Sequence, residues 1–140
     1  MSYATRPVVD GLFTGEGDRT RLIAGRRITD GRLVFPCPVG GRANEYTTVE
    51  LSREGQLWSW TVQRFPPKEP YDGPSGEDFR PYAVGYVELP GEIIIESRLT
   101  EVNFERLHIG MPMRLTTQAY RTDPDGTKVL TYAFRPGVTT

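Results

Sequence analysis

From Gly55 onward, apolar and polar positions alternate with a period of two between Gly and Pro punctuation, and helical periodicity is nearly absent. That pattern predicts strands with one buried face. In "GQLWSWTVQRF" (55–65), alternation puts Leu57, Ser59 and Thr61 on one face and Trp58, Trp60 and Val62 on the other. In "PYAVGYVEL" (81–89), it sets Ala83, Gly85, Val87 and Leu89 opposite Tyr82, Val84 and Tyr86. Both strands carry apolar residues on two faces, which suits a small barrel whose outer face is covered by a neighbouring segment or a partner. Large rings at Trp58, Trp60 and Tyr86 should therefore not all be internal.

"EIIIESRLTEV" (92–102) follows the short Pro90-Gly91 turn and should be the antiparallel mate of 81–89. "NFERLHIGMP" reads as a tight connector, with Asn103 starting one turn of helix and Gly110 stopping it. "MRLTTQAYRT" (113–122) and "KVLTYAFRP" (128–136), joined across "DPDG", make a second hairpin in which Leu115, Thr117 and Ala119 alternate with Thr116, Gln118 and Tyr120. Five strands thus follow residue 54, with no repeat or long linker to suggest a second folded domain after it.

The connection "PPKEPYDGPSGEDFR" (66–80) stands out, with four prolines and two glycines between two good strands. Structureless loops of this length in compact domains are usually functional or disordered. As a binding loop it would offer aromatic area from Phe65, Tyr71, Phe79 and Tyr82 and cations from Arg64, Lys68 and Arg80; as a surface connection it would offer none of this to a partner.

Composition narrows the function. The 140 residues are the length of one ordinary domain, and no window approaches the ~20 apolar residues of a membrane helix. The N-terminal "MSYATRPVVDGLF" lacks a signal-peptide pattern and a single cysteine forms no internal disulfide, so the cytoplasm is the expected compartment. Seventeen Lys+Arg against 18 Asp+Glu leave a net charge of -1, a poor footprint for nucleic acid. The basic run Arg19, Arg21, Arg26, Arg27 and Arg32 is interleaved with Asp18 and Asp30 and reads as a solvated surface.

A nucleophile needs a base within hydrogen-bond reach, and the chain has one Cys and one His to offer. Cys37 lies before a proline, His108 lies in the connector, and nothing in the sequence joins them, so independent catalysis is not expected. Cys37 reads as a small buried hydrophobe in preference to a reactive thiol. Glu88 with Glu92 and Asp123 with Asp125 flank turns, which explains them without acid/base work. "GEGDRT" lacks the Lys-hydroxyl pair and strand-to-helix context of a phosphate loop.

Several pieces in order carry a resemblance: "LFTGEGDRTRLIAGRRITDGRLVFP", "VELSREGQLWSWTVQRFPP", "PYAVGYVELPG", "RLTEVNFERLHIGMPMRL" and a terminal "YAFRPG". Over nearly its whole length the chain resembles the OB-fold family called domain of unknown function thirty-five, which accompanies thiolase-like enzymes acting on acyl-CoA in lipid metabolism. The resemblance implies an all-β protein: an N-terminal arm and rubredoxin-like ribbon segment (1–45) before a five-stranded OB-fold barrel (46–140).

Relatives usually carry two C-x-x-C zinc knuckles before the barrel. Here those positions fall at Arg27 and Asp30 in "GRRITDG" and at Cys37 and Gly40 in "CPVGG", so three of four sulfurs are missing. Structural zinc needs four converging ligands, so the ribbon is expected to be degenerate and metal-free, held by Leu33, Val34, Phe35 and Tyr46, and no cofactor is expected.

The implied role is a noncatalytic accessory subunit that binds a thiolase-like enzyme and helps form its acyl-CoA site. Trp58, Trp60, Arg64, Lys68, Tyr71, Phe79, Arg80 and Tyr82 are the candidate binding residues. The alternative is a free-standing acyl-CoA-binding module. A third reading, a single-stranded nucleic-acid binder stacking bases on Trp58, Trp60, Tyr82 and Tyr86, is disfavoured by the charge balance.

Overall fold

The computed structural model describes residues 5–15, 17–66 and 79–137. Of the candidate binding residues, Lys68 and Tyr71 lie outside this set.

The N-terminal third adds one strand to the large sheet and forms a small four-stranded sheet with the segment Tyr46–Glu50. Strand β1 (Thr5–Pro7) runs parallel to a late strand, and β2 (Phe13–Thr14) pairs antiparallel with β3 (Arg21–Arg27). The hairpin mate β4 (Leu33–Val34) and β5 (Tyr46–Glu50) both pair antiparallel with β3. By its pairing, Tyr46–Glu50 belongs with the N-terminal sheet of β3 and β4.

The expected strands then appear in order: β6 (Glu54–Gln63), β7 (Tyr82–Leu89), β8 (Ile93–Leu99), β9 (Pro112–Thr122) and β10 (Lys128–Pro136). Neighbours β6–β7, β7–β8 and β9–β10 are antiparallel, β10 meets β8 in parallel at Phe134 and Leu99, and β9 returns to β6 through Arg114 and Glu54. The ring β6-β7-β8-β10-β9 closes on itself, the five-stranded barrel of an OB-fold. Strand β7 is hydrogen-bonded on both sides, to β6 and to β8.

The turn and connector follow their residues. Gly91 takes φ 74° in the β7–β8 turn, a conformation open to residues without Cβ. The Asn103 side chain caps the backbone N–H of Glu105 at 3.0 Å, and a single 3₁₀ turn, Phe104–Arg106, ends before Gly110.

The core is one cluster. Leu57, Ala83, Val87, Leu89, Ile95, Leu99, Met113, Leu115 and Phe134 fill the barrel, and Phe13, Leu22, Ala24 and Leu51 from the preceding segment join them. Alternation held on β7, where Ala83, Gly85, Val87 and Leu89 are all buried. It failed on β6. The pairing register shifts between Leu57 and Ser59, so Leu57 faces Val87 while Ser59 faces Tyr86 and Trp58 is the extra residue of a bulge. A one-residue slip exchanges the faces. Leu57 is buried, Trp58 points outward, and Trp60 and Val62 then pack against the core with Leu57, where strict alternation had put them opposite it. Gly85 makes room for this: a Cβ there would lie 2.9 Å from Leu57 Cδ1 and 3.0 Å from the Ser59 carbonyl oxygen.

Candidate functional site

The outer face of β6, β7 and β8 has two ends. The register places Gln63 opposite Tyr82 and Val84 opposite Arg98 at the end nearest the 66–80 connection; Gln56 faces Glu88, and Glu88 faces Ile94, at the other.

At the connection end Arg98, Tyr82 and Phe79 form one cluster. The Arg98 guanidinium carbon sits 3.6 Å above the centroid of the Tyr82 ring, and Phe79 meets the same ring edge-on at 6.0 Å. Arg80 donates to the Phe79 carbonyl oxygen at 3.0 Å, and Arg64 lies over Phe104 at 6.0 Å. An open groove of about 370 Å³ runs from Tyr82 and Arg98 to Glu96, Gln118, Tyr120 and Tyr132.

Among the candidate residues, Phe79 and Tyr82 are therefore brought together and Tyr82 lines the groove, while Arg80 bonds its neighbour's carbonyl and Arg64 lies over Phe104 of the connector. Trp58 belongs to a different group: it is 55% exposed and packs edge-on against Tyr86 at 6.3 Å. Trp60 is half-buried against the core, which leaves it little to offer a ligand. Sequence reasoning missed Arg98 and Tyr132. Arg98 was within reach of it, since Glu96 and Arg98 alternate with the buried Ile95, Ser97 and Leu99 and so must share the outer face with Tyr82.

Tyr132 marks the far wall of the groove, where it donates to the Glu96 carbonyl oxygen at 3.0 Å and packs edge-on against Phe35 of the ribbon segment at 5.5 Å. Burial, and to a lesser degree the Glu96 carboxylate, raises its pKa above the ordinary tyrosine value. A pKa raised on folding means a contribution that is complete below the unfolded value of about 10 and lost as pH rises through the folded one. In a spectrophotometric titration the phenol that ionises above the ordinary range should vanish in Tyr132→Phe; its persistence in that variant would assign it elsewhere.

The ribbon positions hold something other than a metal set. Arg27 and Asp30, where the first knuckle was placed, form a two-pronged ion pair, and Asp30 also accepts from the Arg32 backbone N–H at 3.1 Å. These bonds, the Arg27 guanidinium first, hold the Asp30 carboxyl well below the usual carboxylate range. Arg42 and Glu45 form a second pair at 3.1 Å. Cys37 Sγ lies 3.1 Å from the point a Cβ on Gly25 would occupy, packed with Pro38 and Tyr46 against β3.

Among the described residues no three His, Cys, Asp or Glu side chains converge, so the donor set does not fit tetrahedral zinc. Purified protein is expected to hold well under one equivalent of zinc and to keep its thermal midpoint in a chelator. One equivalent by elemental analysis, lost together with folded structure, would overturn this.

Cys37 and His108 lie on separate elements. His108 is exposed, with Nδ1 3.0 Å from the Arg106 carbonyl oxygen, while Cys37 belongs to the ribbon segment. No helix is long and apolar enough to cross a membrane among the described residues.

Comparison with known proteins agrees with the closed barrel. Residues 48–118 match the family described as ChsH2, C-terminal OB-fold domain. The chain is also 33% identical over 125 residues to a DUF35 domain-containing scaffold protein of Pyrococcus furiosus, covering 85% of each protein. The chain belongs to the DUF35 OB-fold family. A DUF35 domain-containing scaffold protein of Methanocaldococcus jannaschii is 27% identical over 124 residues, covering 85% of this chain and 84% of that one. Among solved structures, a chain of the Ltp2-ChsH2(DUF35) aldolase superposes with a TM-score of 0.58 at 27% identity, covering 84% of this DUF35 chain and 86% of its own.

Proposed function

We propose that this DUF35 protein is a noncatalytic accessory subunit that binds a thiolase-like enzyme and helps form its acyl-CoA site. The observation that carries the reading is the likeness, over 84% of the chain, to a chain of an aldolase named for two components, Ltp2 and ChsH2. The two curated relatives, both described as scaffold proteins, support the same class.

The side-chain inventory is consistent with it. Thiolase-type chemistry needs a nucleophilic cysteine and histidines in reach of it. This chain has one of each, on separate elements and each engaged locally, so the reacting groups would come from the partner. What this chain brings is a rigid barrel with arginines and aromatic rings gathered beside one connection, suited to an anionic ligand with an apolar tail.

Co-purification tests the reading. The full-length chain, tagged and expressed in its own host, is expected to recover a thiolase-like polypeptide in stoichiometric amount, and the pair to turn over an acyl-CoA that neither turns over alone. Recovery of the chain by itself, with acyl-CoA bound to it, would instead support a free-standing binding module.

A further inference from the structure

The barrel face beyond Val84, from the middle of the strands to the end away from the 66–80 connection, has a chemistry of its own. Trp58 is 55% exposed, Tyr86 43% and Ile94 40%, and the strand register makes them neighbours. Trp58 packs edge-on against Tyr86, Tyr86 faces Glu96 across the ladder, and Ile94 faces Glu88. Two carboxylates are thereby interleaved with three large apolar side chains, since directly opposed and diagonal positions on one sheet face lie within side-chain reach.

Among the described residues neither Glu88 nor Glu96 takes part in an ion pair. The Arg98 guanidinium beside Glu96 on this face is stacked on Tyr82, toward the connection. The bulge matters here, because it turns Trp60 inward beside Leu57 and so leaves Trp58 as the outward ring of this strand.

We infer that Trp58, Tyr86 and Ile94, ringed by Glu88 and Glu96, form a protein-docking surface for a partner whose facing patch is apolar at its centre and carries Lys or Arg at its rim. The inference rests on the accessory-subunit reading and adds where the partner sits and what charge it presents.

Aromatic side chains framed by charges of one sign make a complementary contact with the opposite sign, which steers encounter and fixes register. The same carboxylates argue against a nucleic acid on this face: bases could stack on Trp58 and Tyr86, but the backbone phosphates would run past Glu88 and Glu96. Strand addition is also closed to a partner at β7, which already pairs with β6 and β8 along its length. The contact is therefore made face-on, through side chains.

The experiment uses the full-length chain and the thiolase-like polypeptide recovered with it, with binding kinetics measured at low and at high salt. Two variants address the two halves of the surface: Trp58→Ala with Tyr86→Ala, and Glu88→Lys with Glu96→Lys. Asp10→Lys, an exposed site on the N-terminal arm, is the control. Circular dichroism and the thermal midpoint check that each remains folded; the charge-reversal pair alters only exposed positions and keeps the test open should the aromatic pair fail to fold.

The aromatic double variant is expected to dissociate at least tenfold faster. The charge-reversal variant is expected to associate at least tenfold more slowly at low salt, with the gap narrowing at high salt. Unchanged kinetics in both folded variants would overturn the surface while leaving the accessory role standing. Faster association after charge reversal would overturn the basic rim. Self-association of the wild type that is lost in the aromatic variant would replace the partner by a second copy and overturn the inference. Failure of the wild type to recover any enzyme is a separate result, which removes the accessory-subunit reading itself.

Discussion

Phe134→Ala is expected to remove about 3–5 kcal/mol of folding stability, the range for deleting a buried phenyl ring from a packed core. Phe134 is fully buried and sits where the barrel closes. It is the Cα partner of Leu115 on β9 and of Leu99 on β8, and its carbonyl oxygen accepts from the Thr100 backbone N–H at 2.9 Å. Those two leucines are buried around it, so truncation leaves a cavity bounded by three strands that cannot all collapse inward without breaking the ring.

Domains are stable by only ~5–15 kcal/mol, and at this size each kcal/mol moves the thermal midpoint by about 2–4 °C or slightly more, so a fall of roughly 10 °C should be seen. Phe65→Ala is the matched control. That ring is 76% exposed, and its loss should stay within ~0.5 kcal/mol. Urea unfolding of both variants, followed by far-ultraviolet circular dichroism, makes the comparison. A loss below about 1 kcal/mol for Phe134→Ala would show that closure at β8–β10 does not depend on this ring.

Much of the barrel was legible because its signals are local. Alternation in 81–89 is copied by the burial of Ala83, Gly85, Val87 and Leu89, and Pro90-Gly91 sits in the β7–β8 turn as its chemistry requires. Asn103 caps the connector and Gly110 ends it. What escaped depends on distant residues. The bulge at Trp58 is set by how β6 fits β7 across Gly85, and no rule applied to "LWSWTV" alone separates Trp58 from Trp60. The Arg98–Tyr82 stack needs the β7–β8 register, and the Tyr132 contacts need the parallel meeting of β8 and β10, which joins segments far apart in the chain.

The ribbon segment is a mixed case. The resemblance puts the four knuckle positions at Arg27, Asp30, Cys37 and Gly40. That Arg27 and Asp30 then pair with each other is visible only once β3 and the turn toward β4 fold back. Leu33 and Phe35 pack against the common core, which gives the segment a reason to fold against the barrel.

The largest functional effect is expected from replacing Arg64, Lys68 and Arg80 together by alanine. A CoA thioester carries its phosphates at one end, and a hydrogen bond to a charged group is worth about 1.5–3 kcal/mol, so losing even two such contacts should raise KM for the acyl-CoA by roughly 100-fold or more in the reconstituted complex. Charge on the barrel face would favour an anion here: Glu88 would repel it from the far end, and Arg98 stacked on Tyr82, which Phe79 also meets, adds a cation.

Stability should change little. Arg64 over Phe104 at 6.0 Å is a surface cation–π contact of about 0.5–1 kcal/mol, and both Arg64 and Arg80 lie outside the core. The partner should still bind the variant, since Trp58 and Tyr86 lie further along the strands from the connection than Gln63 and Tyr82 do. The expected signature is therefore a folded variant that captures its partner with unchanged affinity, raises KM steeply and moves kcat much less. A folded variant with wild-type KM would assign the anionic end of the substrate to the partner alone and reduce residues 66–80 to a connection between β6 and β7.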